Sequence, residues 1–249
     1  MKFVFLGTTG YHPNNRRQTL SVMFPDNGFI LDAGTGLFRA REFVSTDQLH
    51  VFLSHVHLDH CIGLTFLFDV VNGKQMRQTQ VYVEGEKQTV LEEHLFHPLL
   101  FPAMPPIDFI PMKIGPNAIK VPDQMDVHTF PLSHPGGSVG CIVQQNGKRI
   151  ADVTDTTAGL DEPYLEQIAG VDLLIHECYF PDGFEEQAAI TGHSCATSVA
   201  QVARQCGVGE LLLVHVNPLD ESDDPIGLES LREIFSNVRI AEDLMEVEI

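Results

Sequence analysis

Positive charge is scarce in this chain. Its 249 residues hold 15 Lys and Arg against 34 Asp and Glu, a formal net charge of −19. The imbalance is concentrated late, because residues 153–249 carry 20 acidic side chains and only Arg204, Arg232 and Arg239. The two basic clusters, Arg16–Arg17 and Lys148–Arg149, are small. Proteins that grip a nucleic-acid backbone show a basic face, so the balance argues against a nucleic-acid partner and for a small one. Long apolar runs are also missing. None approaches the ~20 residues a membrane helix needs, and "MKFVFLGTTGYHP" reaches Gly and Thr too soon for a signal peptide. A cytoplasmic protein with no membrane partner is expected. The five cysteines, Cys61, Cys141, Cys178, Cys195 and Cys206, are odd in number and form no C-x-x-C pair. Neither a disulfide framework nor a Cys-based zinc site is indicated, and buried reduced thiols are expected. No linker or short-period repeat interrupts the chain, so residues 1–249 read as one domain.

Short β-rich runs separated by turns fill most of the sequence. "KFVFLG", "TLSVMF", "GFILDAG", "LHVFLSH", "TQVYVEG", "IDFIPM", "MDVHTFPLSH", "VDLLIHE" and "ELLLVHV" read as strands. "GCIVQQNGKRIADVTD" reads as a hairpin turning at Asn146-Gly147. Helical patterns lie in "DEPYLEQIAG", in "SCATSVAQVARQCG" with Gly207 as its stop, and in "DPIGLESLREIFSN". The mixture predicts a layered α/β (α+β) fold with largely antiparallel sheets. The segment "FHPLLFPAMPPIDF", within 96–109, is apolar and proline-rich. It reads equally as a lid, an interface or a core crossing.

Histidine is what the chain has in an unusual arrangement. "LSHVHLDHCIGL" packs His55, His57, Asp59 and His60 into six positions straight after an apolar strand. His55 and His57 alternate with Val56 and point the same way if the backbone is extended. Imidazole nitrogen with carboxylate oxygen suits Zn(II), Mn(II) or Fe(II). One ion cannot easily use four side chains from so short a loop, whereas two neighbouring ions can share them. Three more strand-end residues, His134, Asp155 and His215, supply the missing ligands. His55, His57 and His134 would hold one ion, Asp59, His60 and His215 the other, with Asp155 bridging. His12, His50, His94, His97, His128 and His176 lack such company and read as structural.

"HVHLDH" resembles the H-x-H-x-D-H motif of the metallo-β-lactamase fold hydrolases. The resemblance covers nearly the whole chain. "FLGTTG" and "LDAGTGL" are similar to the opening strand and early Asp-Gly turn of that family, "SHPGGSVG" to its third motif, "DVTDTT" to its fourth and "LVHVNP" to its last. "LLIHECYF" followed by "TGHSCAT" is similar to the ribonuclease Z-like, cyclic phosphodiesterase branch. The resemblance implies a four-layer αββα sandwich with metals at one sheet edge, and Asp32 behind the ligands. It also implies that His193 is catalytic and backed by Glu177, with Asp59 counted both as ligand and in the catalytic group.

Two divalent ions, Zn or Mn with Fe as a further option, lower the pKa of a bridging water toward neutrality. A dinuclear phosphodiesterase follows, in which a metal-bridging hydroxide attacks a small, cyclic phosphodiester. His193 would protonate the departing oxygen. The glycine amides of "HPGGS" could cradle a phosphate oxygen. No basic Gly/Pro-containing arm of the kind that grips tRNA is found, which sets the tRNA 3′-processing endonuclease as the alternative. A lactonase or thioesterase on the same metals, and a non-catalytic scaffold, complete the readings. The filled ligand set argues against the scaffold. A homodimer is left open.

Overall fold

The computed structural model describes residues 1–122 and 125–249. Among the described residues fourteen strands form: β1 (Lys2–Gly7), β2 (Ser21–Phe24), β3 (Phe29–Leu31), β4 (Gln48–Phe52), β5 (Gln78–Glu84), β6 (Asp108–Met112), β7 (Gly115–Val121), β8 (Met125–Leu132), β9 (Ser138–Gln145), β10 (Lys148–Val153), β11 (Leu173–Glu177), β12 (Glu210–Val214), β13 (Val238–Ile240) and β14 (Glu246–Glu248). They make two seven-stranded sheets, ordered β14-β1-β2-β3-β4-β5-β6 and β13-β12-β11-β10-β9-β8-β7.

The pairing corrects one expectation. The sheets are not largely antiparallel, since each has three antiparallel and three parallel pairs. In the first, β14 to β3 pair antiparallel and β3 to β6 parallel. In the second, β7 to β10 pair antiparallel and β10 to β13 parallel. The physical reason is the crossovers. Parallel neighbours need a connection long enough to return over the sheet, and helical segments 35–43, 58–71 and 85–95 supply it in the first sheet. Helices Leu165–Ile168, Ala196–Cys206 and Leu228–Ile234 do so in the second.

Side-chain alternation builds the layers. In β1, Phe3 and Phe5 enter the apolar cluster between the sheets, while Val4 and Leu6 enter the cluster under the first set of helices. In β12, Leu212 and Val214 face the sheet–sheet core, and Leu211 and Leu213 face the second set. Strands buried on both faces read as unbroken apolar runs, as "ELLLV" does. Three clusters therefore mark three interfaces, and four layers follow: the expected αββα sandwich.

Local signals were followed closely in places. Asn146 and Gly147 both take positive φ, 53° and 77°, and close the β9–β10 hairpin as an I′-type turn requires. Helix Ala196–Cys206 ends at left-handed Gly207, and the Thr197 amide at its start donates to Asp182 Oδ1. Elsewhere the helical reading was too generous, and "DEPYLEQIAG" forms helix only over Leu165–Ile168. No residue of the 97–110 segment lines either of the two main clefts. Phe101, Ile107 and Phe109 pack against the first helical layer's cluster, while Leu99 and Leu100 stand in solvent.

Candidate metal centre

Parallel strands all present their C-terminal ends at one edge, where open α/β sheets place their ligands. Asp32 follows β3, the 55–60 loop follows β4, Asp155 follows β10, Glu177 ends β11 and His215 follows β12. His134 follows β8, in the same sheet as β10, β11 and β12, while Asp32 and the 55–60 loop come from the other sheet. Asp32, Asp155 and His215 each take positive φ, 55°, 52° and 55°. Such strained backbone at three non-glycine positions turns the chain sharply off the strand and aims each side chain across the edge.

The seven residues picked from the sequence converge. Ligand-type atoms of His55, His57, His134 and Asp155 lie within 4.8 Å of one another, and so do those of Asp59, His60 and His215. Asp155 divides its oxygens between the two groups. Its Oδ2 lies 3.5 Å from both His55 Nε2 and His134 Nε2, and its Oδ1 3.3 Å from both His60 Nε2 and His215 Nε2. His57 Nδ1 approaches His134 Nε2 to 3.3 Å, and Asp59 Oδ2 lies 3.2 Å from His215 Nε2.

The other face of each ring is held. His60 Nδ1 donates to Asp32 Oδ2 at 2.8 Å, and His134 Nδ1 to the Gly192 carbonyl at 2.9 Å. Ser54 Oγ lies 3.0 Å from His55 Nδ1 and itself bonds Asp32. These contacts fix which nitrogen faces the cluster, as a metal site requires. Gly10 and Gly192 are needed for the approach. A β-carbon at Gly10 would sit 2.2 Å from His215 Cε1, and one at Gly192 would sit 2.4 Å from Pro135 Cδ and 2.9 Å from His134 Nδ1.

The donor set fits divalent cations. Burial pushes His55 well below the ordinary histidine pKa and also lowers His57 and His134, so these rings are neutral and carry free lone pairs. His55 Nε2 is buried and has no hydrogen-bond partner. Burial opposes ionisation of Asp59 and Asp155, yet the surrounding histidines hold both below the usual carboxylate range. Burial would likewise lower His60, but Asp155, Asp59 and Asp32 push it well above its ordinary value. His60 Nε2 and His215 Nε2 face each other at 3.1 Å. Facing lone pairs and carboxylates repel one another unless positive charge sits among them, and divalent cations supply it without a proton.

His193 stands beside this cluster. Its Nδ1 donates to Glu177 Oε1 at 3.2 Å, and Glu177 is fully buried. The same carboxylate accepts the Thr156 and Tyr179 amides. Burial works to lower His193, but the hydrogen bond and charge of Glu177 raise it above the ordinary value. Its ring lies 5.2 Å from those of both His134 and His215. A cleft of about 540 Å³ opens over Asp59, Asp155, His193 and His215. A second, of about 430 Å³, lies on the His55, Gly136 and Lys87 side. In "HPGGS" the Gly137 amide is consumed by the turn, donating to the His134 carbonyl. None of the six histidines read as structural joins a ligand group. His50 instead pairs with Tyr82 and His176 with Tyr164.

Sequence reasoning missed four cleft residues, Tyr11, Leu58, Tyr179 and Thr191. Isolated aromatics in loops carry no spacing signal. It also passed over Asp152, whose carboxyl is buried with neither oxygen hydrogen-bonded. Alternation with Ile150 in β10 would have found it.

The model of the β-lactamase superfamily domain matches residues 27–216. Among curated proteins, ribonuclease Z of Archaeoglobus fulgidus is 25% identical, with 100% of this chain and 97% of that protein covered. Ribonuclease Z of Ignicoccus hospitalis is 27% identical, with 100% and 98% covered. The Archaeoglobus alignment runs over 304 positions against the 249 residues here, so at least 55 of its positions have no counterpart in this chain. Among solved structures, the metallo-β-lactamase fold protein YhfI from Bacillus subtilis superposes with TM-score 0.82 at 19% identity, covering 100% of this chain and 99% of that one. Human tRNase Z, short form, gives 0.74 at 22%, covering 100% and 99%. The ribonuclease names among these relatives lend no support to the expectation, drawn from the acidic charge and the missing basic arm, that nucleic acid is not a partner.

Proposed function

The chain belongs to the β-lactamase superfamily and is a metal-dependent hydrolase, and from that premise we propose that residues 1–249 form one cytoplasmic phosphodiesterase domain acting on a small, cyclic phosphodiester. The observation that carries the reading is Asp155, with one oxygen turned to each of two histidine groups. His55, His57 and His134 would hold one divalent ion, Asp59, His60 and His215 the second, and Asp155 both, with zinc or manganese as the metal. Divalent ions held by these residues would acidify a water and offset charge on the attacked phosphate.

The chain's own residues do the rest. Asp32 and the Gly192 carbonyl hold His60 and His134 against rotation. Glu177 keeps His193 protonated and aimed, so that its free Nε2 donates a proton to the departing alkoxide. Asp59 ties the site to the 8–12 loop through the Tyr11 amide, at 2.7 Å.

A second reading, the tRNA 3′-processing endonuclease, is favoured by the full-length similarity to proteins named ribonuclease Z. The acidic charge and the shorter chain weigh toward the small substrate. A parallel screen of the metal-loaded protein against cyclic phosphodiesters, lactones and precursor tRNA tests the choice. Turnover of the cyclic diesters supports the first reading. Cleavage of precursor tRNA alone, or of lactones alone, replaces it.

A further inference from the structure

We propose that one ester group of the substrate carries an uncharged planar ring, of the nucleobase kind, and that Tyr11 and Tyr179 receive it. The inference rests on the phosphodiesterase reading and narrows it. Two features of the larger cleft carry it. The first is charge. Among the described residues no lysine or arginine lines this cleft, and its two carboxylates, Asp59 and Asp155, both belong to the metal-type groups. Beyond those groups and His193, whose proton is reserved for the departing oxygen, none of the lining residues can neutralise a second phosphate or a carboxylate on the substrate. The remainder of the substrate is therefore uncharged.

The second feature is the wall that remains: Tyr11, Leu58, Tyr179 and Thr191. Tyr11 is 72% exposed and Leu58 66%, so neither is there to fill a core. Tyr11 also takes φ 59°, a left-handed conformation that disfavours a bulky residue and suits glycine or asparagine better. The conformation is secured by the amide bond to Asp59 Oδ2. An aromatic ring displayed at a cleft mouth on a strained backbone, with little packing of its own, points to a ligand contact. Tyr179 faces the cleft beside the proton donor. Its ring is stacked on His193 at 4.9 Å and 18°, and its amide donates to Glu177 Oε2. A group leaving toward His193 departs alongside Tyr179. Aromatic faces bind planar uncharged rings by stacking, whatever the identity of the ring.

The matched probes are adenosine 2′,3′-cyclic phosphate and methyl ribofuranoside 2,3-cyclic phosphate, which share the cyclic diester and differ by the base. In each, water adds to phosphorus, one ring P–O bond breaks, and the freed ribose oxygen takes a proton, giving a phosphomonoester. With the metal-loaded full chain, kcat/KM favours the adenosine compound by about 5- to 100-fold, the range stacking supplies, with most of the difference in KM. Tyr11→Asn, which tolerates the backbone, cuts that ratio at least about fivefold, and Tyr11→Phe preserves it. A wild-type ratio near one, or a ratio unchanged in Tyr11→Asn, overturns the proposal and leaves the phosphodiesterase reading standing. Where neither cyclic ester is turned over, AMP and ribose 5-phosphate are compared as inhibitors of bis(p-nitrophenyl) phosphate hydrolysis, and equal inhibition constants overturn it. Failure of the metal-loaded chain to hydrolyse any phosphodiester overturns both readings together.

Discussion

At the scale of single residues, His193 and Asp155 separate proton transfer from metal retention. Among the described residues only Asp155 contributes an oxygen to each histidine group. Asp155→Ala should therefore lose bound metal, by mass-spectrometric metal analysis, while His193→Ala keeps it. Loss of a general acid costs about 10²–10⁴-fold, and only where the leaving oxygen needs a proton. His193→Ala should impair alkyl and ribosyl diesters by that factor and p-nitrophenyl diesters far less. Equal impairment of both, with metal intact, would reassign His193 to phosphate binding. Gly10 gives a steric version of the same test. Its absent β-carbon is what lets the His215 ring lie against the chain. Gly10→Ala should lower metal content while leaving the far-ultraviolet circular dichroism of the sheets unchanged. Retention of full metal content would show that His215 can shift at no cost to the site.

At the scale of elements, the strands whose side chains alternate or run apolar were legible, and so was the Asn146–Gly147 hairpin. β7 was not. "GPNAIKV" carries Gly, Pro and Asn, which deplete strand propensity, and only pairing with β8 makes it a strand. β13 and β14 are three residues each, too short for periodicity to register. Parallel pairing is set by the crossovers and leaves no mark in any one strand. The ligands were legible because four of them share one short loop. The other three candidates stood out as strand-end residues of the right chemical type and as members of motifs that resemble the family's. The tyrosines of the cleft follow no such rule. Asp152 in β10 belongs to this scale too, since the strand's alternation forces it inward beside Cys141. Burial, with the nearby Asp32 charge adding to it, raises its pKa well above the ordinary 3.8. Below that value both folded and unfolded chains hold the proton. Above it the unfolded chain releases the proton and the folded chain retains it, so stability falls as pH rises, by about 1.4 kcal/mol per unit until the folded pKa is reached. Asp152→Asn removes this term. Its urea midpoint should gain on the wild type steadily between pH 4 and pH 7. Midpoints that run parallel across that range would show that Asp152 ionises at its ordinary value.

At the scale of the whole molecule, charge and metal pull in opposite directions. A chain of net charge −19 repels anions, and on the proposed reading the pull on a phosphodiester would come from cations held at one edge of the sandwich. A substrate with one phosphate releases few counterions, so KM should change little between 50 and 200 mM salt; a polynucleotide gripped at six to ten phosphates would lose about 10³–10⁵ in affinity over that range. A steep dependence would favour the tRNA reading. The central claim is the bridged pair of ions itself. An anomalous difference map from crystals of the zinc-loaded protein tests it most directly. The account predicts two peaks about 3.5–4 Å apart, one beside His55, His57 and His134 and one beside Asp59, His60 and His215, with Asp155 between them. A single peak, or none at these residues, would contradict it.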